Sequence, residues 1–434
     1  MQYGAWLYAI AKQLYKIPRS LTGNGNRETL RILQESLQNI PLNIYEIPSG
    51  TQAFDWRVPN EWNVKDAYII TPEGKRICDF KENNLHLIGY SIPQDCKLTF
   101  SELESHLYYL KQYPNAIPYI TSYYKERFGF CLSYNQYLEL KEKYKDSKEK
   151  FHIKIDATLK SGFMSYGEIK IKGNSEKEII LSTYICHPQM ANNELSGILI
   201  ALALADILSK RENIYSYRIL FLPETIGSIY YLSKHLDKLK NSCIAGFVLT
   251  CIGDNGPFSV LHSRSGDNLA DRASSHILKH FYKNSKEYSY LERGSDERQY
   301  CAPLVDLPFC TLMRSKFGEY NEYHTSLDNL ELLSAESLKD SLEYVLRILK
   351  AVELNGIYKI TCPCEPQLSK YNLYPTLSTK DSFLAIKDMR NLLMYCDGKL
   401  DLLQIANICD FNLLEMESIL NDFIKANLLI KESN

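Results

Sequence analysis

The period of the apolar positions changes several times along the chain. The first 45 residues place them at helical spacing, with "RSLTGNGNRETLRILQESL" supplying a glycine-rich turn and then a helix. From about Ile47 the apolar pieces become short, as in "DAYII", "LHLIGYSI" and "GFCLS", and Pro, Gly and Asn separate them. That pattern predicts a β-rich module. A charged stretch around residues 134–149 then leads into alternating strand patterns.

From residue 178 to 355 the pattern predicts strands alternating with helices. "EIILSTYIC" is a near-continuous apolar run, the kind buried on both faces of a parallel sheet. "ELSGILIALALADILSK" follows at helical spacing, then "SYRILFLP" as a strand and "IGSIYYLSKHLDKL" as a helix. "IAGFVLTCIG" and "FCTLMRS" are further strands. A long helix, "SAESLKDSLEYVLRILKAVEL", closes the region with "SAES" as its capping segment. Such alternation implies a largely parallel, wound sheet. After the linker "CPCEPQLSKYNLYPTLS", three helical patterns and a short strand over residues 380–434 have the order of a winged helix.

Composition adds exclusions. A charge of −2 over 434 residues gives no global field for nucleic acid or an acidic membrane. The N-terminal stretch interleaves Lys12, Lys16 and Arg19 with apolar residues, which reads as an amphipathic helix and not a signal peptide. No run of about 18 apolar residues is expected to span a bilayer. The twelve scattered cysteines contain no CxxC pair and are expected as reduced thiols of a cytoplasmic protein.

In wound α/β sheets ligands bind beyond the carboxyl ends of the strands. His187, Glu224 and Asp254 each follow a predicted strand there. His324 lies in the polar loop "NEYHTSLDNLELL", and Asp296 and Glu297 in "RGSDERQY". A lone histidine at a strand end is more often a turn or core residue. Two histidines and a glutamate on one expected face outweigh that reading.

"STYICHPQMANNELSG", "LFLPETIGSIYYL", "VLTCIGDNGPF", "GSDERQYCAP" and "GEYNEYHTSLDNL" resemble a bacterial aminopeptidase-like family associated with polysaccharide biosynthesis. "RSLTGNGNRETL" and "FDWRVPNEWNVKDAYI" extend the resemblance over nearly the whole chain. It implies an α/β fold like that of zinc exopeptidases, a wound mixed sheet flanked by helices. The aminopeptidase-like core would hold residues 1–46 and 131–358, a β-rich insertion residues 47–130, and a winged helix residues 375–434. Carried over residue by residue, it makes His187 and His324 metal ligands and Glu224 the general base. Asn193 takes the place of a bridging aspartate, Thr225 that of a second glutamate, and Thr250 that of an aspartate in the next strand. Two zinc ions need carboxylates to neutralise them, so the expectation is one zinc. Its third ligand is Asn193, Glu194 or Asp296. Asp296, Arg298 and Tyr323 are candidate substrate contacts.

The expected chemistry is hydrolysis of a peptide or of an amide-bearing small substrate. Two alternatives stay open: a single-zinc acyl transferase, cyclase or amino-sugar deacylase, and a catalytically inactive binding or assembly protein. From Asp381 to Asn434, five basic residues stand against nine acidic ones, a balance of −4. DNA binding needs a basic surface, so a protein partner or self-association is expected for the C-terminal module.

Overall fold

The computed structural model describes residues 3–373 and 380–432. The chain forms two compact units, Met1–Gly266 with Lys286–Leu342, and Asp267–Ser285 with Glu343–Asn434.

The first unit is built on an eight-stranded mixed sheet. Its order is Asn43–Pro48, Phe163–Ile171, Tyr215–Leu222, Ser175–Tyr184, Cys243–Leu249, Phe309–Met313, Ser259–Leu261 and Lys286–Tyr288. The four strands from Tyr215–Leu222 to Phe309–Met313 run parallel, as their continuous apolar runs predict. Phe163–Ile171 is antiparallel to both its neighbours, and Ser259–Leu261 is antiparallel to Phe309–Met313. From Ser175–Tyr184 the chain passes first to the neighbour on one side and then to the neighbour on the other. The carboxyl end of that strand is therefore a topological switch point, where a crevice opens. The Ser196–Leu208 helix, with all but Ile207 buried, packs on the sheet.

A second, antiparallel sheet comprises Arg76–Ile77, Glu61–Ile70, Lys150–Lys160 and Gln94–Thr99 in that order. Its Lys150–Lys160 strand lies beyond the 47–130 expected for the β-rich insertion. That strand alternates buried and exposed positions and needs the other two long strands to cover its edges.

The second unit carries a three-stranded sheet, Asp397–Asp401, Ile357–Ile360 and Leu429–Lys431, with helices Lys380–Tyr395, Leu402–Cys409 and Glu417–Lys425. The winged-helix module was expected at 375–434. Its middle strand starts the module earlier, and residues 375–379 and 433–434 lie outside the described residues. The Leu269–Phe281 helix also belongs to this unit. Arg272 on that helix forms a bidentate pair with Asp401 (2.8 and 2.7 Å), and the His276 ring accepts the Leu413 N–H at 3.0 Å.

One helical stretch, Ala191–Leu208, has the length and composition to cross a bilayer, but it is 94% buried within the protein, as a core helix is. All twelve cysteines lie among the described residues, and none of them forms a disulfide.

Candidate active site

The stretch from Cys186 to Ser196 leaves the switch-point strand, makes one π-helical turn over Ala191–Leu195 and enters the Ser196–Leu208 helix. The amide hydrogens that open a helix need acceptors. Asp328 supplies them: its carboxylate accepts the N–H of Asn192 at 2.6 Å and of Asn193 at 2.9 Å. The Asn192 side chain accepts the N–H groups of Gly253 and Asp254, and Ser196 accepts that of Ile252. "NNELS" is thereby stitched to the loop following the next strand. Gly197 permits this approach, because a methyl group there would collide with the Leu249 carbonyl and the Thr183 hydroxyl.

His187 is buried and held from both sides. Its Nδ1 lies 3.1 Å from Glu194 Oε2, which also accepts the backbone N–H groups of Cys186 (2.7 Å) and His187. Glu194 Oε1 takes the Arg19 Nε–H at 2.5 Å, and both side chains of that pair are 0% exposed. Oε2 is thus saturated, and Arg19 would compete with a metal for Oε1; in this structure Glu194 fixes the His187 ring. Burial alone would depress the His187 pKa, but the Glu194 contact outweighs it and the net direction is upward. His187 Nε2 is left 3.9 Å from Glu224 Oε2.

Glu224 ends the Tyr215–Leu222 strand two residues on. Burial raises its pKa, while His187 and Arg298 oppose the shift. The following residue, Thr225, has φ 65° and ψ −76°, a left-handed backbone that a β-branched residue rarely adopts. Two contacts hold it there: its N–H donates to Asp296 Oδ1 at 2.8 Å, and its hydroxyl accepts from Arg298 Nη2 at 2.9 Å. Asp296 is fully buried behind Thr225 and does not line the cavity; burial first, then Glu224, pushes its pKa upward. It serves as a brace for the turn.

His324 also sits at a positive φ, 56°. Its loop pairs with the β-rich insertion: Tyr119 N–H donates to the His324 carbonyl at 2.9 Å, and Ser326 N–H to the Ile117 carbonyl at 2.8 Å. Tyr323 stacks on the His324 ring at 3.9 Å, and Tyr119 meets it edge-on at 5.2 Å. Burial lowers the His324 pKa to about 3, so the ring is neutral. The two histidine ring centres are 5.4 Å apart.

His187, Glu224, Arg298 and His324 line one cavity of about 300 Å³ with Arg19, Asn84 and Thr225; Trp56, Trp62, Phe80, Tyr119 and Tyr123 form much of its wall. Asn193, Glu194, Asp254, Asp296 and Tyr323 do not line it. Arg19 and the aromatic wall escaped the sequence reading. The only signal for Arg19 was its place in "RSLTGNG".

The fit to a metal rests on which acceptors lack a hydrogen. His324 Nε2, Asn193 Oδ1 and Asp296 Oδ2 are buried without a partner, and His187 Nε2 faces Glu224. A divalent ion would draw its ligands from these atoms. Thr250 and Asn193 are neutral and bond to Tyr184 and to each other, and Thr225 bonds Arg298. Among the described residues, one set of three His, Cys or carboxylate side chains has ligating atoms within 4.8 Å of one another: Cys186, His187 and Glu194. Hydrogen bonds already occupy Glu194, and burial keeps Cys186 a thiol.

Residues 8–355 match a family described as a domain of unknown function (DUF4910). The chain belongs to that family. Residues 356–431 of this DUF4910 protein match a winged helix-turn-helix model. A relative from Clostridium acetobutylicum, described as a candidate polysaccharide biosynthesis protein with an aminopeptidase-like domain, is 42% identical over 405 residues. The match covers 93% of this chain and 91% of the relative. A crystal structure of a candidate peptidase from Clostridium acetobutylicum superimposes with a TM-score of 0.90 at 39% identity, over 99% and 96% of the two chains. A zinc aminopeptidase from Bacillus subtilis superimposes with a TM-score of 0.56 at 13% identity, over 80% and 94%. The fold is aminopeptidase-like, as the sequence led one to expect.

Proposed function

We propose that this DUF4910 protein hydrolyses an amide bond in the cavity, with Glu224 as general base and then general acid. The observation that carries the reading is the pairing of Glu224 Oε2 with a His187 ring that the buried Glu194 holds by its other nitrogen. A carboxylate on the far nitrogen is the usual support of a metal-binding imidazole. His187 and His324, with the Asn193 amide oxygen, would hold a single zinc ion. When bound, the ion would polarise the substrate carbonyl and acidify a water. Glu224 accepts a proton from the attacking water; the water oxygen bonds to the carbonyl carbon; the C–N bond breaks, and Glu224 returns the proton to the leaving nitrogen. The products are a carboxylate and an amine. The Asp296–Thr225–Arg298 brace keeps Glu224 aimed, and the aromatic wall limits access of bulk water.

The substrate is a peptide or another amide-bearing small molecule. The name of the Clostridium acetobutylicum relative supports an amino-sugar amide, and the free cysteines support a cytoplasmic site of action. The C-terminal module serves contact with a protein or a second copy, in keeping with the balance of −4 from Asp381 to Asn434.

The test is Glu224→Gln. It should abolish amide hydrolysis across a panel of peptide and N-acyl substrates with zinc content unchanged; retained turnover overturns the role of Glu224. A second reading, a binding protein without catalysis, draws support from the neutral Asn193, Thr225 and Thr250. A protein that binds no zinc at neutral pH would favour it.

A further inference from the structure

Among the described residues the cavity wall offers a free α-amine one carboxylate, Glu224; two guanidinium groups line it as well, Arg298 and Arg19, the latter already paired with the buried Glu194. Arg19 is 1% exposed; its Nε binds Glu194, its Nη1 binds the Leu14 carbonyl at 2.6 Å, and its Nη2 is buried without any partner. A buried guanidinium nitrogen left unsatisfied costs free energy that an arriving acceptor recovers. Arg298 spends Nε on the Ser295 carbonyl and Nη2 on Thr225, which fixes its plane at the cavity edge. A pre-oriented guanidinium recognises carboxylates and related anions.

Five aromatic side chains, Trp56, Trp62, Phe80, Tyr119 and Tyr123, also line the wall. Trp62 stacks on Tyr90 at 5.4 Å with its indole N–H on the Ser91 carbonyl, so its ring is rigid. Trp56 and Tyr123 stand partly exposed beside it. Such walls bind planar or apolar ring faces.

We infer that the cavity selects an N-acylated, ring-bearing carboxylate and disfavours a substrate with a free α-amine. This rests on the cavity being the substrate pocket and names the substrate class for it. The shared chemistry could come from an N-acyl aromatic amino acid or from an N-acyl amino sugar acid.

Both arms can be measured by calorimetry on the full-length protein, independently of turnover, with and without added zinc. The probes are N-acetyl-L-tryptophan against L-tryptophanamide, and N-acetylmuramic acid against glucosamine. At least one carboxylate probe should bind about tenfold or more tightly than its amine counterpart. Arg298→Gln should erase that preference, and Arg298→Lys, which keeps the charge but loses the fork, should retain part of it. Equal or tighter binding of the amine probes overturns the inference, as does an unchanged preference in a folded Arg298→Gln protein. No binding of any probe at millimolar concentration also overturns it. Because binding is the readout, the outcome is separate from the Glu224→Gln test: a catalytically inert protein that still prefers the carboxylate probes would sink the hydrolase reading and keep this one.

Discussion

Replacing Arg19 by methionine preserves length and apolar bulk but strips Glu194 of its counter-ion. In the folded protein both side chains of the pair are fully buried, with Nε and Oε1 2.5 Å apart. Glu194 would keep the N–H groups of Cys186 and His187, yet its charge would remain in a region that water does not reach. Breaking a buried pair from one side costs about 3–5 kcal/mol. That is about a fifth or more of the roughly 5–15 kcal/mol that holds a domain folded. The three tryptophans, Trp6, Trp56 and Trp62, all lie in the first unit. Their fluorescence during urea unfolding therefore reports on the affected part. The midpoint should fall with little change in slope. Glu194→Gln made together with Arg19→Met removes the orphaned charge, so the double variant should be more stable than the sum of the single losses predicts. A loss below about 1 kcal/mol for Arg19→Met, or strictly additive effects, would refute the buried-charge account.

The metal-free protein should take up at most one zinc per chain in equilibrium dialysis, and His187→Ala and His324→Ala should each lower that uptake. Gly197→Ala should destabilise by about 1–3 kcal/mol or block folding, because its methyl would press on the Leu249 backbone; thermal unfolding reads this. In the second unit, burial would raise the Asp401 carboxyl, but the Arg272 fork and the Gln404 amide outweigh it and hold the carboxyl below the usual range. A depressed carboxyl stabilises the fold above its unfolded pKa and ceases to as pH falls through the folded one. Arg272→Gln should therefore cost about 1–2 kcal/mol at neutral pH, and its gap to wild type should narrow in acid. The full-length protein should give no salt-dependent shift of duplex DNA, since the helix Glu417–Lys425 carries Glu417 and Asp422 against Lys425.

What was legible in the sequence follows from local physics. Strands buried on both faces must be continuously apolar, so their ends were visible, and His187 and Glu224 could be placed on one rim. The loop of His324 was legible from its polarity and its entry into a helix. Arg19 was not legible as a site residue, because its partner Glu194 lies 175 positions away and nothing in the local pattern distinguishes a buried arginine from an exposed one. The aromatic wall was hidden for a similar reason: Trp56 and Trp62 look like ordinary strand residues until the second sheet is folded. The Leu269–Phe281 helix has a regular amphipathic pattern, and it is long-range contacts such as Arg272–Asp401, His276–Leu413 and Lys279–Asp410 that place it in the second unit.

The neutral residues at the metal-binding positions and the buried arginine are two sides of one electrostatic arrangement. A paired-metal site brings four positive charges and needs carboxylates to match them. Asn193, Thr225 and Thr250 bring none. Each is committed to protein hydrogen bonds: Asn193 and Thr250 to Tyr184, and Thr225 to Arg298. The carboxylate that remains beside His187, Glu194, is balanced by Arg19 instead of by an ion. A fixed guanidinium cannot dissociate, so His187 stays oriented at any metal concentration. The strained Thr225 backbone is held by two buried contacts, although its side chain is not a carboxylate. Strain of this kind persists only where surrounding structure enforces it. Its enforcement next to Glu224 argues that the direction of that carboxylate is a feature the fold maintains.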